Sequence, residues 1–188
     1  DLRGLSLAYN PVTKSPVVSY LSFAWTSTIY SDGLIWVRAQ SSSGSWTTAQ
    51  SINPRPVTQF YGGARPAVLP DGTILVAYGQ GDPRGDASLW LVQSSDLGRT
   101  WGAPTPIGRS GSIYDLDVDP DGGLHLLISE GAVFNGTARY GYRAAGSDIW
   151  EWSSPIAGSQ YTGELALITV GGLTRRVVVL AAGTPAHD

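Results

Sequence analysis

The chain contains no cysteine and no methionine among its 188 residues. Without cysteine there can be no disulfide, no thiolate metal site and no cysteine nucleophile. A secreted protein can do without disulfides, so this absence does not assign the chain to a reducing compartment. Charge is also scarce. Asp, Glu, Lys and Arg make up 14%, against about 25% in ordinary globular domains. A net charge of −3 argues against a nucleic-acid partner, which needs a basic patch. No run approaches the ~18 consecutive apolar residues of a membrane span. Only two histidines are present, and no zinc spacing, phosphate loop or Ser/His/Asp arrangement is visible. No metal and no cofactor are expected. A chain that opens on Asp1 without any methionine reads as a processed or partial one.

Turn formers, by contrast, are plentiful. There are 24 Gly and 12 Pro, as many short strands joined by turns require. Hydrophobic residues reach 42%, enough for one domain with a core. The strands fall into a repeat. One unit runs from 63 to 108. Within it, 64–70 and 73–79 read as strands around the turn Asp71-Gly72. A third strand covers 87–94, and the Pro-bearing 103–108 suits an outer edge. The same grammar covers 4–52 and 112–157, where Pro120-Asp121-Gly122 repeats Pro70-Asp71-Gly72 after 50 residues. A fourth unit, 163–183, supplies two strands. Trp46, Trp101 and Trp152 recur at intervals of 55 and 51 residues. Four-stranded units of this period are β-propeller blades. The expected fold is therefore all-β, a single segment over 1–188 with about three and a half antiparallel blades. Propellers close with about 4–8 blades. Such an arc expects completion by a longer polypeptide, a second copy or another chain.

The most specific segment is Ser94-Ser95-Asp96-Leu97-Gly98-Arg99-Thr100-Trp101. Ser94 and Asp96 are short acceptors for backbone N–H groups in a tight turn. Gly98 can take the left-handed conformation that closes it. Thr100 suits the start of the next strand, and Trp101 is a large apolar anchor. Worn copies stand at 41–46, without the Asp, and at 146–152. The octapeptide resembles the Asp box of the sialidase-like (BNR-repeat) β-propellers.

That resemblance implies that ligands bind on the face away from the boxes. Loop 22–33 with Trp25, Tyr30 and Asp32 belongs there, as do 53–64 with Arg55 and Tyr61 and 80–87 with Asp82, Arg84 and Asp86. Segments 108–115 (Arg109, Tyr114, Asp115), 130–138 (Glu130, Phe134, Asn135) and 157–164 (Tyr161, Glu164) complete the face. In this family an aromatic-Arg-Ile-Pro motif opens a first strand, and its Arg helps clamp the sialic acid carboxylate. Arg65 in Ala64-Arg65-Pro66-Ala67 is the matching position, without the aromatic and the Ile. A guanidinium fork suits a carboxylate. The alternative for Arg65 is a structural arginine bonding carbonyls near the channel. Asp82 or Asp86 matches the family's acid/base Asp by location. Tyr161 and Glu164 have the residue types of its Tyr nucleophile and activating Glu. Trp25 is the first candidate for a ligand platform, with Tyr61, Arg84, Tyr114 and Asp115 as further binding candidates.

Two other patterns have structural readings. Asp117-x-Asp119-x-Asp121-Gly122 opens like a calcium loop, but its twelfth position is Ile128 and its flanks are strands. It reads instead as a strand with Leu116 and Val118 on one side and Asp residues on the other. His125 alternates with Leu124 and Leu126 and reads as a structural strand histidine. Asn135-Gly136-Thr137 fits a glycosylation sequon. The expected role is an extracellular or cell-surface recognition or structural module with a glycan ligand. One rival is part of an exo-sialidase-type glycoside hydrolase, and another is a structural assembly subunit.

Overall fold

The structure, a computed structural model, describes residues 2–26, 29–53, 63–81, 87–130, 137–158, 162–170 and 173–181. Side chains are described over the same segments except 2–3, 23–26, 29–32, 87, 157–158, 162, 169–170, 173–175 and 180–181. These residues form only strands and turns, and none of their segments is a helix long and apolar enough to cross a membrane. The first sheet contains β1 (Leu2–Asn10), β2 (Ser15–Thr26), β3 (Ile29–Ala39) and β4 (Gln50–Ser51) in sequential order. The second contains β5 (Arg65–Val68), β6 (Ile74–Gly81), β7 (Ala87–Ser94) and β8 (Thr105–Ser110). In the third, β9 (Ser112–Val118), β10 (Leu124–Glu130) and β11 (Thr137–Arg143) are followed by an outer strand in two pieces. These pieces, β12 (Glu151–Trp152) and β13 (Ala157–Gly158), both pair with β11. Pro155 lies in the break, and a proline has no N–H for the ladder. The hairpin β14 (Thr162–Val170) and β15 (Leu173–Ala181) follows. The all-β architecture of antiparallel four-stranded blades is thus as the repeat predicts.

Blade stacking explains why the middle strand β6 is apolar on both faces. Along β6, Ile74, Val76 and Tyr78 join Val17, Ile35 and Val37 in a core between the first and second sheets. The alternate residues Leu75 and Ala77 join Leu116, Leu124, Leu126 and Ile128 in a core between the second and third. Side chains of a strand alternate between faces, so β6, held between two blades, is hydrophobic on both.

The octapeptide turn is closed by side chains. Gly98 N donates to Ser94 Oγ at 2.8 Å, and Ser94 Oγ donates to Asp96 Oδ1 at 2.8 Å. The Arg99 and Thr100 N–H groups reach Asp96 Oδ1 at 3.0 and 2.9 Å, and Thr100 Oγ1 donates to Asp96 Oδ2 at 2.7 Å. Thr100 therefore serves the turn, and the next strand begins only at Thr105. Gly98 has φ +77°, and Leu97 also takes a left-handed φ of +62°, which the sequence did not signal. Trp101 packs against the core between the first two blades.

These bonds, those from Thr100 first, hold the Asp96 pKa near about 2, against an ordinary 3.8. A depressed carboxyl pKa stabilises the fold above the unfolded value and loses that contribution as pH falls through the folded one. Asp96→Asn is therefore expected to lower the melting temperature at neutral pH. It should also flatten the loss of stability between about pH 4 and about pH 2, read from melting curves across that range. An unchanged acid slope would remove Asp96 from the acid response.

Candidate functional site

The inner strands β1, β5, β9 and β14 lie side by side along the open channel. Equivalent positions on them meet at one level. Arg65 pairs with Ala77 in the second blade, and Asp115, fifty residues on, pairs with Leu127 in the third. Glu164 on β14 stands next in line. A cleft of about 330 Å³ is lined by Leu5, Arg65, Tyr114, Asp115, Gly163 and Glu164, among others. Through Leu7 and Asp115 it adjoins a larger hollow of about 720 Å³ bordered by Tyr9, Pro66, Asp117, Asp119 and Leu167.

Arg65 is held rather than loose. Its Nε donates to the Tyr114 carbonyl at 2.6 Å. Gly63 lies against the guanidinium, and a Cβ at residue 63 would collide with Nη1. Burial disfavours the Arg65 charge and lowers its pKa, while Asp115 and Glu164 oppose the shift. An arginine in such a setting stays protonated. Burial likewise pushes the Asp115 carboxyl up, against hydrogen bonds from Leu165 N and Leu116 N and the charge of Arg65. Asp115 Oδ2 accepts from Leu165 N at 2.9 Å, so it ties the hairpin to the third blade. The arrangement sets one fixed cation beside two carboxylates from successive blades. That set can orient hydroxyl, amide or charged groups of a polar ligand.

The structure thus brings Arg65, Tyr114, Asp115 and Glu164 together. Asp82, Arg84, Asp86, Tyr61 and Tyr161 lie outside the described residues, as do Arg55, Phe134 and Asn135. Segment 22–33 is not a loop. β2 runs on to Thr26, β3 starts at Ile29, and Trp25 pairs with Tyr30 in the extended ladder. Aromatic and β-branched residues favour a strand there, and a register shift between Ser22 and Ala24 absorbs the irregularity. Trp25, Tyr30 and Asp32 therefore sit on strands, with side chains outside the described set. Arg109 and Glu130 do not face the channel cleft. They pair with each other at 2.7 Å, and Glu130 also binds Arg139. Burial works against the Glu130 charge, but the two arginines outweigh it and lower its pKa.

One constellation escaped sequence reasoning. His125 is buried, with Nε2 at 3.0 Å from Asp119 Oδ2 and Nδ1 at 2.6 Å from the Tyr140 hydroxyl. Asp119 Oδ1 accepts from Asp121 N and Gly123 N at 3.0 and 2.7 Å. Asp119 is thus both a turn cap and a histidine partner, on the side of the strand away from Leu116 and Val118. Among the described residues no group of three or more His, Asp or Glu is placed to hold a metal ion. The signal was available in the repeat. Leu69, Leu75 and Leu91 of the second blade occupy the places that Asp119, His125 and Tyr140 take in the third.

No protein-family model matches the chain, and no curated protein matches it. Solved structures do. The chain is similar to Trypanosoma rangeli sialidase in complex with sialic acid, with TM-score 0.61 and 15% identity over 95% of this chain and 33% of that one. It is similar to an N-acetylgalactosamine deacetylase from F. plautii in complex with blood group B trisaccharide (TM-score 0.62, 12% identity, 90% of this chain, 59% of that one). A third is polysaccharide lyase Uly1 (TM-score 0.60, 15% identity, 98% of this chain, 50% of that one). The chain therefore spans a third to about three fifths of the length of these proteins. At such identities the likeness is one of fold: an open arc of a β-propeller, shared with sialidases and neuraminidase-like proteins.

Proposed function

We propose that this chain is a glycan-recognition segment of an extracellular sialidase-like propeller, with the Arg65 cleft as its ligand site. The observation that carries the reading is the meeting of Arg65, Asp115 and Glu164 from three inner strands at one channel mouth. Sugars present closely spaced hydroxyls, and a fixed guanidinium between carboxylates offers both donors and acceptors to them. The neighbouring folds include proteins in complex with sialic acid and with a blood-group trisaccharide. A glycan array probed with the wild-type chain and Arg65→Ala tests it. Hits that weaken on the order of tenfold in the variant, about the value of one charged hydrogen bond, support the site. Hits of equal strength would place the ligand elsewhere.

A second reading, part of an exo-sialidase-type hydrolase, is favoured by the position of Arg65 at the start of an inner strand. Its test is release of fluorophore from a sialoside. Turnover that survives Arg65→Ala would remove this residue from the mechanism. Ring completion by a second copy belongs to the structural-assembly reading. Leu5, Leu7 and Tyr9 on β1 and Ile168, Val177 and Val179 on the hairpin are exposed apolar residues on the first and last sheets. Light scattering is expected to give twice the chain mass, and a strict monomer at high concentration would sink self-completion.

A further inference from the structure

The face of the third blade turned toward the β14–β15 hairpin is polar where the matching face of the second blade is apolar. Leu69, Leu75 and Leu91 pack in the hydrophobic core between the second and third blades. Their counterparts Asp119, His125 and Tyr140 form a hydrogen-bonded row. The row continues into the hairpin. The Arg176 guanidinium carbon lies 5.1 Å from the centre of the Tyr140 ring, and burial raises the Tyr140 pKa while the Arg176 charge opposes that rise. We propose that Asp119, His125, Tyr140 and Arg176 form a proton-sensitive latch that docks the β14–β15 hairpin on the third blade.

Donor and acceptor counting sets the direction of the switch. With His125 neutral, Nε2–H donates to Asp119 Oδ2 and Nδ1 accepts the Tyr140 O–H. The Tyr140 ring then carries Arg176 over it with no second cation beside it. Protonation turns Nδ1 into a donor aimed at the Tyr140 oxygen. Tyr140 then lies against two cations, and its own O–H loses its acceptor. The Asp119–His125 pair tightens while the Arg176 contact weakens. Among the described residues, the titratable and charged groups facing His125 are Asp119 from the turn after β9, Asp117 opposite it in the β9–β10 ladder, Tyr140 and Tyr142 from β11, and Arg176 from β15 behind Tyr140. Tyr142 lies 5.0 Å away between ring centres. Asp119, in direct contact, and Asp117 across the ladder favour the imidazolium, and Arg176 opposes it. By linkage, a docked Arg176 disfavours the proton on His125, and a proton on His125 disfavours docking.

The latch acts on the channel as well. The same hairpin carries Gly163 and Glu164 into the Arg65 cleft. Its second polar tie is Leu165 N to Asp115 Oδ2. Asp115 also titrates, so the experiment must separate the two ties. Imidazole changes charge between about pH 5 and 8. Hydrogen-exchange protection factors for the β14 and β15 amides, each relative to the unstructured rate at the same pH, are measured across that range. They are expected to fall on the order of tenfold on acidification, a typical coupling, while β10 and β11 amides keep theirs. Tyr140→Phe removes the oxygen that His125 bonds, and Arg176→Gln removes the opposing cation. Both leave Asp115 in place. The fall should flatten in both variants, and the β10–β11 amides report whether each variant is folded. No fall in the wild type, or the same fall in both variants, would overturn the latch.

Discussion

Replacing Gly111 with alanine is expected to destabilise the fold by roughly 2–6 kcal/mol, the sum of a forbidden backbone conformation and an overpacked contact. Gly111 is the single residue between β8 and β9, where the chain leaves the outer edge of the second blade and enters the inside of the third. Its φ is +135°, a conformation that residues with a Cβ rarely adopt. A Cβ there would overlap the Ser129 carbonyl oxygen, lying 2.9 Å from its carbon and 3.0 Å from Glu130 Cα. The obstacle is backbone of β10, whose Ser129 pairs with Ser112. No side-chain rotation relieves it. Domains of this kind are stable by about 5–15 kcal/mol, so the loss is a large part of the whole. Urea denaturation of Gly111→Ala should show a lower midpoint at unchanged slope. A midpoint equal to the wild type would mean that the β8–β9 crossing has another course.

The repeat, and with it the blade architecture, was legible because it rests on local rules. Pro70-Asp71-Gly72 and Pro120-Asp121-Gly122 mark hairpins, and the strand over 74–78 carries a continuous apolar run. Segment 22–33 misled because Ser27, Ser31, Asp32 and Gly33 look like turn residues, while the pairing of Trp25 with Tyr30 is set by the ladder they extend. The candidate site was half legible. Arg65 could be singled out from the start of its strand. Tyr114, Asp115 and Glu164 could be assigned to the same face, but not their meeting with Arg65 at one level, because Asp115 and Glu164 lie 50 and 99 residues away and meet it only through blade stacking. The Asp119–His125–Tyr140 row was hidden for a different reason. It appears only when two blades are compared position by position and three leucines are seen to have become polar together. Each of the three, read alone, has an ordinary explanation: a turn residue, a strand histidine, a strand tyrosine.

Tyr78→Phe is expected to stabilise the fold, by about 1–3 kcal/mol. Tyr78 sits on β6 in the core between the first and second blades and is 0% exposed. Its hydroxyl is buried without a hydrogen-bond partner among the described residues. Unfolding returns that oxygen to water, so the folded state carries the full desolvation cost of one hydroxyl. Phenylalanine keeps the ring and its contacts with Val17, Ile35 and Val76 and removes only the unpaired oxygen. For a chain of this size the gain corresponds to about 2–4 °C per kcal/mol in melting temperature. Burial also pushes the Tyr78 pKa up from 10.0 to about 12. A raised folded pKa gives stability that is complete below the unfolded value and is lost as pH climbs through the folded one. Wild type should therefore lose stability between about pH 10 and about pH 12, and Tyr78→Phe should lose less of it. The two readouts check each other. A variant that melts lower at neutral pH would show that the hydroxyl has a partner, whereas an unchanged alkaline slope would show that Tyr78 is not the group titrating there.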